Sequence, residues 1–174
     1  MAKNHSIELL EQGEIPERYQ RNIGTIGIDG QLRLLKAKVA VVGAGGLGGS
    51  IIELLARQGV GYLRVIDGDG FAAHNLNRQL LATEENLGVN KAKAAALRVA
   101  AINSDVEVES IPQMLAEENA EHLLQGMDII VDALDTISSR LLVSRVTRKL
   151  KIALVHGAIA GFTGQVTTLL ADDI

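Results

Sequence analysis

The chain has 174 residues, 47% of them apolar and 22% charged, which is enough hydrophobic surface for one sizeable core and needs no second domain. No apolar run reaches the roughly 18–20 residues that cross a bilayer, and Met1-Ala-Lys-Asn-His5 lacks a signal-peptide apolar stretch, so a soluble cytoplasmic protein is expected. Zero cysteines exclude a disulfide, a thiolate nucleophile and Cys-ligated zinc within this chain, and a formal charge of −4 argues against nucleic acid as a partner.

Residues 1–28 are polar and punctuated by Gly13, Pro16, Gly24 and Gly27, which predicts an N-terminal arm with a short helix near Ile7 to Gln12 that wraps something. Residues 29–174 then alternate as a single α/β domain. Asp29 is placed to cap a helix from Gln31 to Lys36, and the apolar run Lys38 to Val42, bounded by a glycine loop, reads as a buried parallel strand. Leu47, Ile51, Leu54 and Leu55 give helical spacing up to Gly59, and Tyr62 to Ile66 makes the second strand. Asn90 is positioned to cap a helix from Lys91 to Ala101. Strand 106–110, helix 116–125 closed by Gly126, strand 128–133, helix 139–150 and strands 152–156 and 165–170 complete the pattern. The expected fold is α/β and Rossmann-like: a doubly wound, mainly parallel sheet with helices on both faces.

Gly43-Ala-Gly45-Gly46-Leu-Gly48 follows a strand and opens a helix, the context in which glycines admit a phosphate to a helix N-terminus. Asp67, at the end of the second strand, stands where a carboxylate accepts hydrogen bonds from ribose hydroxyls. These two features suit an NAD-binding domain equally well. The distinction lies in Arg78 and Lys91, cations in and just after the loop following the second strand, and in Asp135, just past the strand ending near Ala133. Both cations can reach a polyphosphate, and Asp135 can hold Mg²⁺, which takes only one or two protein carboxylates. A helix cap before Ser139 is the rival role for Asp135. Asp132 and Asp69 read as structural, as do His74 and His156. His5, His122 and the run Glu117-Glu118-Asn-Ala-Glu121 read as solvated surface.

Arg18-Tyr-Gln-Arg21, Gly43 to Gly48, Asp67-Gly-Asp69, Asn75-Leu-Asn-Arg-Gln79, Gly88-Val-Asn-Lys91-Ala and Asp132-Ala-Leu-Asp135 together resemble the ThiF/MoeB/HesA family, bacterial relatives of ubiquitin-activating enzymes. The resemblance runs from about Glu17 to the end and includes Gly157-Ala-Ile-Ala-Gly161 and Gly164-Gln-Val166. It implies ATP- and Mg²⁺-dependent adenylation of the C-terminal carboxylate of a ubiquitin-like sulfur-carrier protein ending in Gly-Gly, with pyrophosphate released. It further implies Gly43, Gly45, Gly46 and Gly48 around the phosphates, Asp67 for ribose, and Asn75, Arg78 and Lys91 for phosphates. Gln79 would be a nearby positioning group, Asp135 the Mg²⁺ ligand, and Arg21 a residue that crosses a homodimer interface to the partner's ATP. Arg78, Lys91, Asp135 and Arg21 are thus the expected catalytic groups. Thr136 departs from the usual Asn after the metal-binding Asp, and the zinc cysteine pairs and crossover-loop cysteine common in the family are missing, as expected of a shortened or minimal version. Asp132-Ala-Leu-Asp-Thr136 also resembles the tRNA threonylcarbamoyladenosine dehydratases. That leaves two alternatives: activation of a carboxylate on tRNA, or a non-catalytic nucleotide-binding, dimerising module.

Overall fold

Lys38–Val42 (β1) shows how the sheet acquires two buried faces. Val39 and Val41 enter one apolar cluster, while the alternate residues Ala40 and Val42 enter the other. In the computed structural model, which describes residues 2–170, β1 is the centre of a six-stranded sheet. It pairs in parallel with Tyr62–Ile66 (β2) on one side and Ile129–Asp132 (β4) on the other. Glu107–Ile111 (β3) and Ala153–Ala160 (β5) extend the parallel sheet outward, and Thr163–Leu169 (β6) closes it antiparallel, in the order β3-β2-β1-β4-β5-β6. The β5–β6 connection is a two-residue turn in which Gly161 takes a φ of 60°.

Gly46–Gln58 (α3) and Lys91–Ile102 (α4) bury Ile52, Ala56, Ala92, Ala95 and Val99 against one face. Ala120–Leu124 (α5) and Ile137–Leu150 (α6) bury Leu123, Leu124 and Val143 against the other. This is the expected doubly wound, mainly parallel architecture. The connecting helices change face at β1, so the central strands diverge from a common switch point.

Three local expectations were displaced by contacts distant in sequence or by local side-chain bonding. The N-terminal region, read as an arm that wraps something, is helical over most of its length and lies against the domain. Ala2–Glu11 (α1) and Gln20–Lys36 (α2, kinked at Gly27 with φ 69°) pack on one another through Leu10, Tyr19 and Leu35. They cover the amino edge of the sheet. The Tyr19 hydroxyl donates to Asp105 Oδ2 at 3.0 Å and accepts from Asn103 Nδ2 at 3.0 Å, and Ser6 Oγ donates to the same carboxylate at 2.7 Å. Gln31 Nε2 donates to the Gln58 carbonyl at 2.9 Å. The helix expected over 116–125 is only the short α5, because Asn119 accepts the Ala116 N–H at 2.8 Å and donates to the Met114 carbonyl at 3.0 Å, folding that stretch into a turn. Strand β5 runs beyond 152–156 because β6 folds back on it from Leu154 to Ala160.

Candidate functional site

A cleft of about 690 Å³ opens at the carboxyl edge, between the ends of β1, β2 and β4, a volume suited to a nucleotide. Its floor is the turn from β1 into α3. Gly43 has φ 95°, and a Cβ there would lie 2.8 Å from the Ala133 carbonyl oxygen; at Gly48 a Cβ would lie 1.8 Å from the Gly43 oxygen. These two glycines make the turn possible. Gly45 and Gly46 have room behind them and line the cleft instead. Gly45 is the N-cap of α3 and supplies no side-chain cap, which leaves the first N–H groups of a 13-residue helix for a ligand.

Asp67 lies on the adjoining wall. One carboxylate oxygen accepts the Ala44 N–H at 2.7 Å and the other the Asp69 N–H at 2.9 Å, so it ties the glycine loop to the loop after β2 while still facing the cleft. Lys91, 7% exposed, donates Nζ to Asp69 Oδ2 at 3.0 Å. Asn90 caps α4 by accepting the Lys93 N–H at 3.1 Å, and its amide donates to the Asp67 carbonyl at 2.9 Å, which fixes Lys91 at the cleft. Arg78 lies exposed over Gly46 and donates to the His74 carbonyl at 2.9 Å and to Asn77 Oδ1 at 3.0 Å. Gln79, also 7% exposed, has a buried Oε1 with no partner among the described residues, although its amide lies beside Gly45 in the cleft wall. A buried acceptor without a donor costs free energy unless a ligand supplies one.

Across the floor stands Asp135, exposed and without a hydrogen bond or ion pair among the described residues. It is not the cap of α6: that role belongs to Thr136, whose side chain accepts from the Ser139 N–H. Asp132 is structural, 1% exposed, and bonded to the Leu134 N–H at 2.9 Å and to His156 Nδ1 at 2.7 Å. No group of three His, Cys, Asp or Glu side chains able to hold a metal occurs among the described residues. A cation here would therefore take Asp135 plus oxygens from the phosphates and water, as Mg²⁺ does.

Three expected site residues lie off the cleft wall: Gly48, which serves the turn beneath it, Asn75 and Arg21. Asn75 is buried, and its Oδ1 accepts the Ala72 N–H at 2.9 Å, so it shapes the loop that carries Arg78 and Gln79. Arg21 is exposed at the start of α2, between Tyr19 and Asn22. Those neighbours bond to Asn103, Asp105 and the Gln58 carbonyl at the amino edge, the opposite end of the strands from the cleft. A five-residue strand separates the two edges by about 13 Å.

The structure adds residues that the sequence did not single out. Met114 and Leu115, after β3, join Ile66 as an apolar wall beside Asp67, where a base would extend from the ribose; Gly68 leaves the space that Met114 fills. Arg140 lines the Asp135 side. A cation in the first turn of a helix opposes the macrodipole, and that unusual placement is the one sequence signal that could have flagged it.

Comparison with known proteins bears on the family. The ThiF family model matches residues 19–173. A SAMP-activating enzyme E1 of Haloferax volcanii is 44% identical over 158 residues, covering 90% of this chain and 58% of the relative. A sulfur carrier protein adenylyltransferase of Thermus thermophilus is 43% identical over 152 residues, covering 86% of this chain and 56% of that protein. The chain thus spans a little over half the length of these relatives. A crystal structure of E. coli tRNA N6-threonylcarbamoyladenosine dehydratase in complex with ATP superposes with a TM-score of 0.80 at 30% identity, covering 84% of this chain and 61% of that one. With a family match over nearly all of the chain, a cleft at the switch point and the glycine loop beneath it, this protein belongs to the ThiF family.

Proposed function

We propose that this chain binds ATP with Mg²⁺ and adenylates the C-terminal carboxylate of a ubiquitin-like sulfur-carrier protein ending in Gly-Gly. The observation that carries the reading is the charge layout of the cleft: Arg78 and Lys91 on one side of the uncapped α3 N-terminus, and on the other Asp135, a carboxylate without a partner among the described residues. The relatives named for sulfur-carrier and SAMP activation are 43–44% identical, against 30% for the tRNA dehydratase, which favours a protein carboxylate over a tRNA one.

In this reading the ribose sits on Asp67, the base against Met114 and Leu115, and the phosphates over Gly45 and Gly46. Mg²⁺ on Asp135 would neutralise phosphate charge. The acceptor carboxylate oxygen attacks the α-phosphorus, the bond from that phosphorus to the bridging oxygen breaks, and pyrophosphate leaves with the electron pair. The acyl-adenylate remains. No side chain becomes covalent. Arg78 and Lys91 hold the phosphates in line and stabilise the charge that grows on pyrophosphate. Arg21, too far from its own cleft, acts in the cleft of the second protomer of a homodimer.

The test is ATP–pyrophosphate exchange with purified protein, Mg²⁺ and a panel of Gly-Gly-terminated carrier proteins. Exchange that requires one carrier and collapses in Arg78→Ala and Asp135→Ala is the expected result. ATP binding without exchange on any carrier would overturn the reading, and exchange on tRNA would replace it.

A further inference from the structure

Both polar groups of the Leu134 main chain, one residue before Asp135, are taken by side chains. Its N–H donates to Asp132 Oδ1 at 2.9 Å, and its carbonyl accepts from Arg140 Nε at 3.0 Å and from Nη2 of the same guanidinium. Asp132 is itself 1% exposed and held by His156 Nδ1 at 2.7 Å. Thr136, on the other side of Asp135, is fixed as the cap of α6. The backbone is thus gripped before and after a residue whose own carboxylate makes no bond among the described residues. Arg140 lines the same cleft five positions along the chain from Asp135, yet the two form no ion pair, and the guanidinium points two donors at one neutral carbonyl.

We infer that Arg140 is a positioning residue which, with Asp132 and His156, locks the Leu134 peptide so that the Asp135 carboxylate faces a magnesium ion on the nucleotide; this rests on the metal role proposed for Asp135. The physical reason is orientation. Mg²⁺ demands near-ideal octahedral geometry and accepts few protein ligands, so a lone carboxylate contributes only if its loop is preorganised. Two N–H groups from one planar fork fix both the direction and the plane of the peptide they hold. An ion pair between Arg140 and Asp135 would instead neutralise the ligand, and the arrangement avoids it.

The experiment is titration calorimetry of the non-hydrolysable analogue adenosine 5′-(β,γ-imido)triphosphate, with Mg²⁺ and with chelator, on wild type, Asp135→Asn, Arg140→Gln, Arg140→Lys and His156→Gln. The readout is the gain in affinity that Mg²⁺ confers. Asp135→Asn abolishes that gain. Arg140→Gln reduces it about tenfold while leaving metal-free affinity unchanged, the lower end of the usual loss when a group that orients a metal ligand is removed. Arg140→Lys, which keeps one donor for the Leu134 carbonyl, and His156→Gln fall between. A full Mg²⁺ gain in Arg140→Gln overturns the positioning role, and so does an equal loss with and without metal, which would make Arg140 a direct nucleotide contact. A full gain in Asp135→Asn instead removes the metal role of Asp135, and the positioning role falls with it.

Discussion

Gly48→Ala and Gly46→Ala separate two jobs within one glycine loop. At position 48 the new methyl would stand 1.8 Å from the Gly43 carbonyl oxygen and 2.7 Å from its carbon, whereas real Cβ contacts essentially never fall below 3.0 Å, so that carbonyl must move by about an ångström or more. It has little freedom to do so. Gly43 is held at φ 95°, its N–H bonds the Ile66 carbonyl at 2.9 Å, and Ala133 closes the space behind it. Forced overpacking of this kind costs roughly 3 kcal/mol, which for a domain of this size lowers the melting temperature by roughly 6–12 °C. At position 46 the nearest atoms to a new methyl are the Arg78 carbonyl oxygen at 3.5 Å and its Cγ at 3.8 Å, ordinary contacts, and the residue opens α3, where alanine is favoured over glycine. Gly46→Ala should therefore melt at or slightly above wild type, yet bind ATP at least tenfold more weakly, because the methyl stands on the cleft floor. Thermal denaturation and nucleotide titration of both variants decide the matter. A Gly48→Ala protein that melts with wild type, or a Gly46→Ala protein that binds ATP normally, would refute this division of the loop.

Three further outcomes follow from the same geometry. Burial pushes the Tyr19 phenol up to about 12, with Asp105 beside it adding to the rise. Because the folded state holds that proton more tightly than the unfolded chain, the stabilisation is complete below pH 10 and is lost at about 1.4 kcal/mol per pH unit as pH climbs towards 12; denaturant titrations should show this slope in wild type and not in Tyr19→Phe. Lys91→Met keeps the buried stem but loses the ammonium, so ATP affinity should fall roughly 10- to 100-fold while adenosine affinity holds, as direct binding assays would show. If Arg21 serves the partner's cleft, equimolar Arg21→Ala and Asp135→Asn proteins, each inactive alone, should regain about a quarter of wild-type exchange on mixing, since half the dimers are mixed and each carries one intact site. No recovery would place Arg21 outside the reaction.

The order of strands and helices, the two-faced sheet and the floor of the cleft were legible in the sequence because each depends on residues close together in the chain. Period-two alternation in β1, helical spacing in α3 and glycines at the β1–α3 turn express backbone and burial preferences that act over a few residues. Arg78, Lys91 and Asp135 could be expected to line one cleft because strand ends in such a sheet converge on one edge. What only the tertiary structure decided are contacts with no fixed spacing. Tyr19 meets Asp105 across 86 positions, and so a stretch that reads as a polar arm is docked on the domain. Met114 fills the space left at Gly68 only after β3 is laid beside β2. Asp132 meets His156 across 24 positions, a contact that exists only once β5 is laid beside β4. Local preference chooses an element, but a side chain's partner depends on where the finished fold places other elements, and that position is not encoded in any short window of sequence.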